Sequence, residues 1–185
     1  MNASLKKFIL AVSFVLFSSY NFLQGQSVSS ISDSLYRVML AFPGQFHSLK
    51  GESAFFIDPN AYYSTLFVPG IWDCLVMKNP DNGSWEWQGT ITDSNDEEDE
   101  DEMEKTFKKW KATIDNMTLG GVRLVSYKDN RYTTENTDKF YEEGYAWRLD
   151  NSRNNIDARY RKFTIRLECI HEDDYLEVRL LISDN

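Results

Sequence analysis

In FTIRLECIHEDDYLEVRLLISD, Phe163–Asp184, two apolar runs rich in β-branched residues flank the four polar residues His171–Asp174. Runs of that kind on either side of a short polar connection predict an antiparallel hairpin at the C-terminal end of the chain. Upstream, YAWRLD (145–150) alternates Tyr145, Trp147 and Leu149 with smaller or polar residues, and VRLVSYK (122–128) follows Gly120 and Gly121. Both read as strands, separated by the polar segment DNRYTTENTDKFYEEG, which predicts a long loop.

The same logic applies in the first half. IWDCLVMK (71–78) and SWEWQGTITD (84–93) are joined through an Asn-Gly pair, and in the second run Trp85, Trp87, Gly89 and Ile91 alternate with Glu86, Gln88, Thr90 and Thr92. That pattern predicts a hairpin with one buried face. YYSTLFV (62–68) supplies a further strand before Pro69-Gly70. Nearer the N-terminus, Ile31, Leu35, Val38, Met39 and Phe42 recur at helical spacing, with Ser29 or Ser30 as N-cap and Pro43-Gly44 as the stop.

Between the two groups of strands lies DSNDEEDEDEMEKTFKKWKATIDNM, Asp93–Met117, with eight acids among the nine residues 96–104. Met103, Phe107, Trp110, Ile114 and Met117 fall on one helical face, so a helix over about residues 96–117 is predicted. Acids in its first turns and lysines after them suit the helix dipole and predict Asp101–Lys105 and Glu104–Lys108 pairs. Asp93, Asn95, Glu97, Asp99, Asp101 and Glu104 also match the ligand spacing of an EF-hand, but Glu98 occupies the position that needs Gly and no helix enters the loop. The helix start is the better account, and no metal ligands are assigned.

The order of elements is thus a helix, about three strands, a long helix and about three strands more. It defines an α+β fold: a single antiparallel sheet of about five to six strands with two helices packed on it, a two-layer sandwich. One domain, residues 26–185, accommodates it. Before it, Lys6 and Lys7 precede the apolar run Phe8–Phe17, and small and polar residues follow. An apolar run of about ten residues is half what a membrane span needs, so residues 1–25 read as a cleaved secretory signal and the chain as secreted or periplasmic, with no membrane insertion after cleavage.

Cleavage removes Lys6 and Lys7 and no acid, taking the formal charge from −9 to −11 over the remaining 160 residues. So acidic a surface repels phosphate backbones and anionic lipid heads, which disfavours nucleic acid as a partner. Cys74 and Cys169 lie in apolar strand patterns, where two buried thiols and one disulfide are both compatible with an exported chain.

Catalytic chemistry has little to build on. His47 and His171 are the two histidines and neither has a nucleophile fixed beside it; no phosphate loop, G-x-S-x-G elbow or zinc motif is present, and no cofactor is implied. The aromatic surplus points to binding instead. Trp85 and Trp87 read as core, whereas Tyr132, Phe140, Tyr141 and Tyr145 lie in or beside the long polar loop and are candidate ligand-binding residues. The reading is a non-catalytic binding or interaction module for a protein, peptide or small ligand. A hydrolase with a carboxylate-based site and a structural envelope or assembly component are the alternatives. A pocket of acids with raised pKa values would favour the enzyme, and an exposed apolar or aromatic groove would favour binding.

Overall fold

The computed structural model describes residues 28–80, 82–94, 100–128, 144–153, 156–172 and 175–184. Nine strands form one antiparallel sheet: β1 (Lys50–Ser53), β2 (Ala61–Ser64), β3 (Asp73–Lys78), β4 (Trp85–Ser94), β5 (Thr118–Leu119), β6 (Val122–Lys128), β7 (Gly144–Leu149), β8 (Phe163–Glu172) and β9 (Tyr175–Asp184). Among the described residues two α-helices accompany it, α1 (Val28–Ala41) and α2 (Glu100–Asp115). The strand order is β1-β2-β3-β4-β9-β8-β7-β6-β5. The C-terminal hairpin β8–β9 therefore lies at the middle, and β9 joins the β1–β4 half to the β5–β8 half through β4.

The expected five to six strands are corrected to nine. Two of the additional strands are short edge elements. KGES, now β1, is polar and mostly exposed, so it carries no alternation. In β5 only two residues pair, Thr118 with Arg123 and Leu119 with Val122. Gly120 and Gly121 take φ of 59° and 79° and make the two-residue turn of that hairpin. Pairing with a neighbour, rather than burial of a face, makes these segments strands.

Both helices pack on one face of the sheet. Ile31, Leu35, Val38 and Met39 of α1 and Met103, Phe107, Trp110 and Ile114 of α2 share a core with Val76, Trp87, Trp147, Ile165, Leu167, Val178, Leu180 and Ile182. The helix-face residues expected from the spacing, Met117 included, are all buried. Helix α1 ends where Pro43 and a 3-10 turn over Phe42–Gly44 follow it, and Gln45 and Phe46 then take left-handed backbone. Glu104 pairs with Lys108 as expected, whereas Lys105 pairs with Glu102, 3.3 Å away, rather than with Asp101.

Gly89 on β4 meets a packing requirement. A Cβ there would stand 2.8 Å from Ile71 Cγ2 and 2.9 Å from Trp87 Cη2, so only glycine lets Ile71 close over the strand. One residue later the register with β9 shifts between Thr90 and Thr92, and such a bulge bends the long strand.

Both cysteines are buried, and no disulfide joins them. Strands β3 and β8, which carry them, are separated by β4 and β9, about 14 Å at the usual strand spacing and beyond the reach of a disulfide. Burial pushes the Cys74 thiol up to about 11, which keeps it protonated.

Asp115 closes α2, the end of a helix where an acid is unfavourable. Its place is explained by Trp147, whose fully buried indole N–H donates to Asp115 Oδ1 at 2.8 Å, and by Lys111, 2.8 Å from Oδ2. Burial pushes the carboxyl up, but the bonds from Lys111 and Trp147 and the charges of Lys111 and Arg123 outweigh it and hold the pKa below the ordinary value. A carboxyl depressed in the folded state stabilises fully above its unfolded pKa, about 3.9, and loses that contribution as pH falls through the lower folded value. Asp115→Asn, which keeps an acceptor for Trp147, is expected to lose less stability than the parent chain between about pH 5 and pH 2.5. Urea titrations at a series of pH values measure this, and parallel curves for the two proteins would refute it.

Candidate functional site

The face of the sheet opposite α1 and α2 carries an ionic ladder. Along β8, Arg166 and Glu168 alternate with the core residues Ile165 and Leu167. Along β9, Glu177 and Arg179 alternate with Val178 and Leu180. Arg179 lies opposite Glu168 in the register and its Nη2 is 3.2 Å from Glu168 Oε2. Arg166 Nε is 3.5 Å from Glu168 Oε1, and its Nη2 reaches past β9 to within 3.9 Å of Glu86 Oε2 on β4. Thr90 Oγ1 donates to Glu177 Oε1 at 2.8 Å. The side chains of Arg166, Glu168 and Glu86 are only 9, 7 and 11% exposed. Arg179 Nη2 donates a hydrogen bond to Glu168 Oε2, whereas Arg166 Nε and Arg179 Nε have no hydrogen-bond acceptor in good geometry.

Beside the ladder, a depression of about 420 Å³ lies at one end of β2–β4, between Asp58, Asn60, Met77, Lys78 and Glu86. Asn79 Nδ2 donates to Glu86 Oε2 there, at 3.2 Å. A smaller cleft of about 190 Å³ lies on the other side of Trp85, lined by Phe42, Gln45, Arg159 and Lys162. The larger is lined by two carboxylate residues, Asp58 and Glu86, and the smaller by Ser84, Lys162 and Asp184 as well. Burial pushes the Asp73 carboxyl up, in part offset by the Cys74 backbone, but the residue opposite Asp73 is Thr90 rather than a second acid.

The apolar exposure is concentrated. Of the seven large hydrophobic residues exposed among the described residues, six fall between positions 55 and 72: Phe55, Phe56, Ile57, Tyr63, Phe67 and Trp72. Phe55–Ile57 belong to the β1–β2 connection, Tyr63 is on β2, and Phe67 and Trp72 belong to the β2–β3 connection. The two groups flank β2 at its two ends, and Phe56 is fully exposed. The local fold holds them there: Ala54 N–H bonds Ala61 O and Asp58 N–H bonds Ala54 O, closing the first loop, while Ile71 N–H bonds Val68 O in the second. Beneath them Ala54, Ala61 and Leu75 form a small second core on the face opposite α1 and α2, with Met77 packed against it.

Of the four residues singled out from the sequence, Tyr132, Phe140 and Tyr141 lie outside the described residues. Tyr145 is half-buried on the helix side, its ring 6.0 Å from that of Phe107 and 6.1 Å from that of Trp147, with Lys111 Nζ 4.6 Å from its centre. It packs at the edge of the core and does not line the exposed surface. Trp87 is core as expected, but Trp85 is half-exposed and sits among Lys50, Tyr62 and His47. The legible signal for the exposed group was AFFIDPN, an unbroken apolar triplet that runs directly into a turn sequence.

Asp93, the first ligand position of the EF-hand match, lies in β4. Among the described residues no group of three or more His, Cys, Asp or Glu is placed to hold a metal ion, and no helix is long and apolar enough to cross a membrane. No protein-family model matches the chain, and no curated protein or solved structure matches it significantly.

Proposed function

We propose that the chain is an exported, non-catalytic binding module that engages a partner protein through the β1–β3 end of its sheet. One observation carries this reading: six of the seven exposed large hydrophobics among the described residues cluster at positions 55–72. Scattered apolar residues are ordinary on a protein surface, whereas a concentration of aromatic ones marks an interaction site. Aromatic anchors also dominate the energetics of interfaces. The export signal in residues 1–25 and the acidic balance of the chain agree with a protein that works outside the cytoplasm on a partner that is not nucleic acid.

The test uses a photoreactive residue at Phe56 in the exporting cell, with the same group at Glu102 on the exposed side of α2 as the comparison. The partner cross-linked from Phe56 is purified and titrated against Phe56→Ser/Trp72→Ser. The double variant is expected to bind at least about thirtyfold more weakly, since each anchor is worth more than about 1 kcal/mol, and to unfold at the same denaturant concentration as the parent. Equal cross-linking from Glu102, or undiminished affinity of the double variant, would refute the reading.

A further inference from the structure

We infer that the partner docks as a tenth strand: a short extended segment of apolar and basic residues pairs with the free edge of β1. The inference rests on the binding reading above and specifies its chemistry. Among the described residues β1 pairs with β2 alone, so the outer edge of Lys50–Ser53 presents backbone groups that no strand takes up. An unpaired edge is a ready template for a strand from another chain.

Natural edges are guarded, most often by a lysine, a proline or a bulge. Here the guard is partial. Lys50 does not stand over the edge, because its ammonium lies against the rings of Trp85 and Tyr62, the latter 4.9 Å away, and burial there lowers its pKa. No proline occurs in β1, and Gly51, Glu52 and Ser53 are exposed. The shortness of β1 and the register irregularity between Lys50 and Ser53 remain, and they limit pairing to a short segment.

Some of the exposed apolar residues lie at the ends of this edge. Phe55–Ile57 stand past one end of β2 and Phe67 past the other, on either side of a four-residue strand about 13 Å long, whereas Trp72, whose N–H donates to Thr90 O on β4, lies farther into the sheet. An extended segment on β1 therefore runs from Phe55–Ile57 towards Phe67. The acids nearest the edge are Glu52, on the edge itself, and Asp58, in the β1–β2 connection. With Lys50 drawn onto Trp85 and a formal charge of −9 over the chain, the complementary segment is basic as well as apolar.

The probe is a synthetic peptide of about eight residues alternating lysine or arginine with valine or phenylalanine, a length that covers the edge. It is titrated into the intact exported chain while amide exchange is followed. Binding is expected to slow exchange at Glu52 and Ser53 at least about tenfold. It should weaken at least about tenfold when the peptide is N-methylated at alternate residues or when its basic residues become glutamate. A probe that fails to bind, or binds without protecting β1, overturns the strand-addition inference. The binding reading then stands or falls separately on the Phe56→Ser/Trp72→Ser titration against the cross-linked partner. Phosphatidylcholine vesicles form a control arm, and capture of the chain by them through Phe56, with no effect of the peptide, would replace a protein partner by a lipid surface and overturn both.

Discussion

Trp110→Ala is expected to destabilise the folded chain by about 3–5 kcal/mol, the usual cost of emptying a large aromatic from a packed core. Trp110 is 3% exposed and lies on the face of α2 that shares the main core with α1 and the central strands. Its ring also packs under the β2–β3 connection, where a Cβ on Gly70 would stand 3.5 Å from Trp110 Cζ2. The space left by alanine borders helix and loop together, so no single side chain can collapse into it. Lys109→Ala, one position away on the exposed side, is expected to stay within about 0.5 kcal/mol. Denaturant titration compares them, and equal losses would mean that the helix presents a different face to the sheet.

A loss of similar size, about 3–5 kcal/mol, is expected for Glu168→Ala. Glu168 stands between Arg166 and Arg179 on the face opposite α1 and α2, and its side chain is 7% exposed. Removing it leaves Arg166, 9% exposed, with the 3.9 Å contact to Glu86 as its remaining ion pair, so a buried guanidinium loses most of its compensation. The exposed Glu102–Lys105 pair gives the contrast, with side chains 76 and 71% exposed, and Glu102→Ala is expected to cost under about 0.5 kcal/mol. Urea titration at low and high salt separates the two: the Glu168 effect should persist in salt, because buried pairs are screened little. A loss below about 1 kcal/mol at Glu168 would show that solvent reaches the ladder and that its charges are compensated by water.

The sequence by itself determined the elements whose reason is local. Apolar spacing fixed the buried faces of α1 and α2, because a helix returns to the same face every three or four residues whatever it packs against. The Asn-Gly turn fixed the β3–β4 hairpin, and the β-branched runs around the polar turn fixed β8–β9, since turn geometry and alternation are written in adjacent residues. What the sequence left open depends on neighbours brought from elsewhere in the chain. KGES becomes β1 only because Lys50 and Ser53 meet Ser64 and Tyr62. Asp115 tolerates its place at a helix C-terminus only because Trp147, 32 residues on, donates to it. Arg166 and Glu86 meet only because β9 is inserted between β4 and β8. The candidate site is of the same kind. Tyr145 looked free beside a polar loop, yet the β7 register turns it under α2, whereas Phe55, Phe56, Phe67 and Trp72 read as further apolar residues and are left in the open at the two ends of β2. Periodicity tells which side of an element is apolar; whether a partner covers that side is decided by the arrangement of the elements in space.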